Sequence, residues 1–204
     1  QAKASRSAWA TSGAMGGSRS EEFLAKAEVG EDTYVRCTAC DYAANAEKAT
    51  FAKTPQEMED PRPLAELHTP GVKTIEALGA FLGVPTSNTL KAVFYVADGE
   101  VVFVTLRGDL DVNEVKLRNA LRSHDLRLAE DHEVKAAGLV AGSASAIGIS
   151  GIKRVADLSI TKGNNFVVGA NKSDTHFGGA NYPRDFQADI LADIALAQPG
   201  QLCP

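Results

Sequence analysis

Leu90-Lys91-Ala92-Val93-Phe94-Tyr95-Val96, then Asp98-Gly99, then Val101-Val102-Phe103-Val104-Thr105-Leu106 is the stretch on which the fold turns. β-Branched and aromatic residues crowd both runs, and the Asp-Gly pair between them is a hairpin signal. Apolar residues occupy both faces of the first run, which predicts a strand covered on both sides. One residue breaks the pattern. An ammonium at Lys91 is costly in such a strand unless it is paired or opens into a cleft. Two readings stand: a site residue, or a strand-end lysine whose stem lies along the sheet while its head reaches water.

Moving outward, Thr74 is an N-cap for a helix carrying Ile75, Leu78 and Leu82 on one face, stopped by Gly83 and Pro85. Asp111 with Glu114 three residues later predicts a capping-box start to a helix running to about Arg122, with Val115, Leu117 and Leu121 apolar. Glu130 to Ala137 reads as a short helix, Ile152 to Ala156 and Phe166 to Val168 as strands, and Ala188 to Ala197 as a final helix. Helices and strands alternate irregularly, hairpins are present and no repeat occurs. The fold class is therefore α/β of α+β character, with a mixed sheet.

Upstream, Ser12-Gly13-Ala14-Met15-Gly16-Gly17-Ser18 reads as a loop. A short strand at Thr33 to Arg36 leads through Cys37-Thr38-Ala39-Cys40 into an alanine-rich, helix-prone piece ending at Ala49. Residues 51–66, with Pro55, Pro61 and Pro63 among charges, read as a linker, and the domain boundary falls there.

Composition narrows the function. At 204 residues the chain holds a real core, and a net charge of −5 argues against a broad basic surface for nucleic acid, though not against gripping one RNA end. No run reaches membrane-span length, and Gln1 to Ala14 lacks the apolar core of a signal peptide. Three cysteines, an odd number, fit a reducing cytoplasm.

Candidate chemistry is sparse. Cys37-x-x-Cys40 is half of a zinc site by spacing, but Cys203 lies far along the chain and no histidine sits at ligand spacing, so no metal is assigned. None of His68, His124, His132 and His176 belongs to an H-x-x-x-H pair. His176 lies in the polar, glycine-flanked segment Asn171-Lys172-Ser173-Asp174-Thr175-His176-Phe177-Gly178-Gly179, and reads either as a loop residue carrying function or as an exposed loop histidine. No nucleophile elbow or P-loop is present. Gly142-Ser143-Ala144-Ser145-Ala146 reads either as a cradle of backbone N–H groups or as a tight, well-packed connection.

Thr69-Pro70-Gly71-Val72-Lys73-Thr74-Ile75, Asn88-Thr89-Leu90-Lys91, Leu106-Arg107-Gly108-Asp109, Asn113-Glu114-Val115-Lys116, and Val168-Gly169-Ala170-Asn171 with His176-Phe177 occur in the order and spacing of one family. Together with Ala192-Asp193-Ile194 they resemble the insertion domain of bacterial prolyl-tRNA synthetases, a branch of the YbaK-like aminoacyl-tRNA deacylases. Ser12 to Phe23, Gly30-Glu31-Asp32 and Asp41-Tyr42-Ala43-Ala44-Asn45 resemble the catalytic-domain segment before that insertion, and the Ser-Glu-Glu-Phe form resembles actinobacterial enzymes.

The resemblance implies a mainly antiparallel, curved sheet flanked by helices. It divides the chain into a catalytic-domain fragment at 1–50, the linker at 51–66, an editing domain at 67–197 and a return to the catalytic domain at 198–204. It implies hydrolysis of alanine wrongly esterified to proline tRNA, in a pocket that excludes proline by bulk. The parent enzyme attaches proline to its tRNA with ATP and magnesium. The chain lacks the ATP-binding motifs and is not expected to aminoacylate.

Residue by residue, Lys91 aligns with a functional lysine that contacts the terminal adenosine or its phosphate. Ile75 and Leu78 align with the walls of the alanine pocket, and His176 with a histidine that tunes it. Asp157 and Asp193 match acidic positions that hold the substrate amino group or Lys91. Gly142 to Ala146, Ser145 included, align with a G-x-x-x-P loop placing backbone groups near the scissile carbonyl; Ala146 replaces its proline and Ser145 a glycine. No cofactor is implied for editing. The implied partners are the acceptor end of proline tRNA and the rest of a cytoplasmic, homodimeric synthetase. The rival readings are a non-catalytic insertion that buttresses the synthetase or helps hold tRNA, and a zinc-stabilised module built on Cys37 and Cys40.

Overall fold

Asp98 and Gly99 both take positive φ, 48° and 88°, as a two-residue hairpin turn requires, and join the strands Leu90–Ala97 and Glu100–Arg107 in continuous antiparallel register. The structure is a computed structural model that describes residues 6–10, 20–24, 33–140 and 142–204, the first two segments by their backbone. The glycine-rich segment Ser12 to Ser18 and the stretch Gly30 to Asp32 lie outside the described residues.

In chain order the strands are β1 (Arg6–Ala10), β2 (Ser20–Leu24), β3 (Tyr34–Arg36), β4 (Ala43–Asn45), β5 (Ala65–His68), β6 (Leu90–Ala97), β7 (Glu100–Arg107), β8 (Leu126–Leu128), β9 (Lys153–Asp157), β10 (Phe166–Gly169), β11 (Thr175–Ala180) and β12 (Ile190–Ala192). The helices are α1 (Ile75–Leu82), α2 (Glu114–Leu121) and α3 (Asp131–Ala136). The hairpin sits inside a five-stranded sheet of order β12-β9-β7-β6-β8, antiparallel around β6 and parallel from β7 through β9 to β12. A second sheet, β10-β11-β5, is antiparallel, and a third, β2-β1-β4-β3, lies in the N-terminal part. The class is mixed α/β, as expected.

The hairpin is covered on both faces. Leu90 and Phe103 pack with Val134 of α3 and with Phe166 and Val168 of β10, while Tyr95, Val102 and Val104 pack with Leu117 of α2 and Ile194. This explains why its strands lack polar alternation.

Three expectations fail locally. Ala188 to Ala197 is not a helix: Ile190 to Ala192 pair in parallel with Val155 to Asp157, and Ala195 bridges Val112. An open sheet edge beside β9 outbids the helix propensity of alanine and leucine there. Asp41 to Ala49 is not helical either, because Ala43 to Asn45 extend between β3 and β1. The N-cap of α2 is Asn113, whose Oδ1 accepts the N–H groups of Val115 and Lys116 at 3.1 and 3.2 Å, and Asp111 is left free for another partner. Thr74 does cap α1, accepting the Ala77 N–H at 3.2 Å.

Residues 53–64 carry no helix or strand, yet they are strapped down. Phe51 is buried, Arg107 donates to the Thr54 carbonyl at 2.7 Å, and Asn165 holds the Arg62 N–H and the Asp60 carbonyl. Among the described residues no helix is long and apolar enough to cross a membrane.

Candidate active site

A cavity of about 90 Å³ lies between α1, the start of β6, the 142–146 loop and β11. Ile75, Leu78 and Phe94 give it apolar walls, Gly142 and Ala144 form the loop side, and His176 closes the far side. Ile75 and Leu78 meet because residues three apart share a helix face. Thus Ile75, Leu78, Gly142 and His176 line one cavity.

His176 is not an exposed loop residue. It sits in β11 opposite Leu67 of β5, is 5% exposed, and its Nδ1 shares a 2.6 Å hydrogen bond with Thr69 Oγ1, itself fully buried. Burial pushes its pKa below the usual histidine range, so the ring is neutral near pH 7. A neutral ring offers one donor and one acceptor, and Thr69 fixes which edge faces the cavity.

The 142–146 loop is held by Asn171, a residue whose role was not foreseen although it ends one of the aligned blocks. Asn171 Oδ1 accepts the Ser145 N–H at 2.8 Å, its Nδ2 donates to the Ile147 carbonyl at 2.8 Å, and its own N–H donates to the Ser143 carbonyl at 2.8 Å. Ser145 Oγ accepts the Ile147 N–H at 3.1 Å, closing a local turn. These bonds pin the chain on both sides of Ala146. Gly169 lets the loop come so close: a Cβ there would lie 2.3 Å from the Ser143 and Ala144 carbonyl oxygens. Ser145 is 4% exposed and borders a space of only about 10 Å³, so its hydroxyl does not reach the main cavity. The Ala144 N–H, beside that cavity, has no acceptor among the described residues.

Lys91 borders the cavity through its place in β6, but its head does not enter it. Alternation puts Leu90, Ala92 and Phe94 on the cavity face and Lys91 with Val93 and Tyr95 on the other. Its Nζ donates to Asp111 Oδ1 at 2.8 Å, and this contact holds the Asp111 carboxyl below the usual range. The partner of Lys91 is thus Asp111, and not Asp157 or Asp193.

Those two carboxylates lie away from the cavity, in a buried charge cluster. Asp157, with no exposed surface, accepts the N–H groups of Ser159, Ile194 and Ala195 at 2.7, 2.9 and 3.1 Å, with Lys53 Nζ 3.9 Å away. Asp193 binds both Lys53 and Lys116, the latter at 2.9 Å. Burial raises the Asp193 pKa, but the two ammonium groups outweigh it and hold the carboxyl below its ordinary value. Burial lowers the pKa of Lys116. Both carboxylates are taken up by protein donors, and neither borders the cavity.

Residues 69–185 match the family model described as the aminoacyl-tRNA editing domain. The chain is 55% identical over 195 residues to a proline--tRNA ligase of Dehalococcoides mccartyi, covering 96% of this chain and 34% of that protein. A proline--tRNA ligase of Geobacter sp. strain M21 is 45% identical over 202 residues, covering 98% and 35%. The chain thus spans about a third of the length of these curated relatives, and both come from bacteria other than the actinobacteria that the Ser-Glu-Glu-Phe segment suggested. Among solved structures, a putative trans-editing enzyme for prolyl tRNA synthetase superposes at TM-score 0.57 with 15% identity, over 66% of this chain and 87% of that one. A hypothetical protein superposes at TM-score 0.57 with 21% identity, over 65% and 90%. The fold agrees with these neighbours, and since the matched family spans both the cavity and the loop that walls it, the chain belongs to the aminoacyl-tRNA editing domain family.

Proposed function

We propose that this chain is the editing domain of a proline--tRNA ligase and hydrolyses the ester of alanine mis-attached to proline tRNA. The observation that carries the reading is the lining of the cavity, where Ile75, Leu78 and Phe94 stand against the 142–146 loop and His176. Apolar walls at Ile75, Leu78 and Phe94 suit a methyl group, and on this reading the bulkier pyrrolidine ring is turned away. Rejection by bulk complements a synthetic site that cannot exclude the smaller amino acid.

The reaction is attack of water on the aminoacyl ester carbonyl. The Ala144 N–H, on a loop stiffened by Asn171, donates to the oxygen as negative charge develops there. The neutral His176 ring holds the aminoacyl group or the water by a hydrogen bond without adding charge. A ribose hydroxyl of the terminal adenosine helps place the water, and the alcohol leaves on the tRNA. Lys91, on the other sheet face, grips the terminal phosphate by exchanging Asp111, an exposed partnership worth of order 1 kcal/mol or less. Asp157 and Asp193 serve as scaffold.

The domain division follows the same reading, with 1–50 and 198–204 belonging to the catalytic domain, 51–66 a strap and 67–197 the editing unit. ATP and magnesium belong to the parent synthetase, a cytoplasmic homodimer. Deacylation of alanyl- and prolyl-tRNA measured in parallel tests the proposal: alanyl-tRNA is hydrolysed and prolyl-tRNA spared. Lys91→Ala abolishes turnover, and Asp111→Asn tightens tRNA binding by freeing the lysine. Binding of tRNA without hydrolysis of either ester would instead make the domain a buttress.

A further inference from the structure

The cysteines that the sequence separates are brought together by the fold. Sγ of Cys37, Cys40 and Cys203 all lie within 4.8 Å of one another, with Cys40 and Cys203 at 3.4 Å across 163 residues. Tetrahedral coordination at a Zn–S distance of about 2.3 Å spaces sulfurs about 3.8 Å apart, so the three already stand at ligand separation. Local backbone geometry prepares the first two. The Ala39 N–H donates to Cys37 Sγ at 3.3 Å, and the Cys37 N–H donates to the Tyr42 carbonyl at 2.9 Å, closing a tight knuckle around Cys37 and Cys40. An amide aimed at sulfur favours thiolate over thiol. The third sulfur is placed from elsewhere: Ala52 bridges Leu202, with the Ala52 N–H donating to the Leu202 carbonyl at 2.9 Å, and this sets Cys203 over the knuckle.

We propose that Cys37, Cys40 and Cys203 bind one zinc ion as three thiolates, with water or another donor in the fourth position. Binding converts the three thiols to thiolates and releases their protons to solvent. No oxidation is involved. The cluster stands away from the cavity, so the metal is structural: it clasps the chain before the matched editing unit at 69–185 to the chain after it. Both ends of that unit are thereby fixed at one point, next to the Ala52–Leu202 bridge.

The full chain, purified in reductant without chelator, is expected to contain one zinc per chain by elemental analysis. Cobalt in place of zinc gives intense thiolate-to-metal absorption in the near ultraviolet. Cys203→Ser lowers zinc affinity by at least the roughly 10–100-fold typical of losing even an outer-shell partner. Cys203→His restores much of it, since imidazole is also a zinc ligand. Cys203 lies outside every core cluster and so is removable without unfolding the hairpin sheet. Zinc content or affinity unchanged in Cys203→Ser overturns the proposal, as does reduced protein that takes up no zinc. A Cys40–Cys203 disulfide persisting in reductant overturns it as well.

Discussion

His176 shows how much a single side chain depends on where the backbone puts it. Of the four histidines it alone is buried; His68, His124 and His132 are exposed. Its pKa is depressed by burial, so on acidification the unfolded chain takes up a proton near pH 6.5 before the folded one does. Full stability is therefore present above that range and falls as the pH drops through it, by at most about 1.4 kcal/mol per pH unit until the folded pKa is reached. His176→Gln, compared with wild type by urea unfolding at pH 7.5 and 5.5, should remove that part of the slope and also weaken alanyl-tRNA hydrolysis at pH 7.5. An unchanged slope would mean that another group titrates. The residue type was legible in the sequence; its burial was not, because the polar loop around it gives no sign that Leu67 and Thr69 will cover it.

At the scale of elements, the outcome followed whether local signals had competitors. The β6–β7 hairpin and the start of α1 were readable because turn chemistry and capping act within four residues. Ala188 to Ala197 was not, since a partner strand 35 residues upstream claimed it. The 142–147 loop belongs to the same group: its shape depends on Asn171 and on the missing Cβ of Gly169. Gly169→Ala should displace the Ser143 and Ala144 carbonyls, cost about 3 kcal/mol of stability as over-packing does at its upper range, and lower the deacylation rate. Thermal unfolding with the deacylation assay checks it. Retention of both would show that the loop yields without consequence.

For the whole molecule, the buried charges join parts that the sequence treats as separate. Lys53, from the supposed linker, meets Asp157 of β9 and Asp193 just after β12, while Lys116 of α2 meets Asp193. Lys53→Ala should cost about 3 kcal/mol, the lower end for breaking a buried pair, because Asp193 keeps Lys116. Denaturant unfolding measures it; a loss under about 1 kcal/mol, typical of surface pairs, would show that residues 51–66 are a true linker. The sequence by itself determined the mixed α/β class and the central hairpin, since periodicity and turn chemistry are properties of the chain. Only the tertiary structure decided that Lys91 faces Asp111 across the sheet from the cavity, that Asp157 and Asp193 meet Lys53 and Lys116, and that Cys203 joins Cys37 and Cys40. Each of those depends on which partner arrives from far along the chain, and neither residue type nor spacing encodes that arrival.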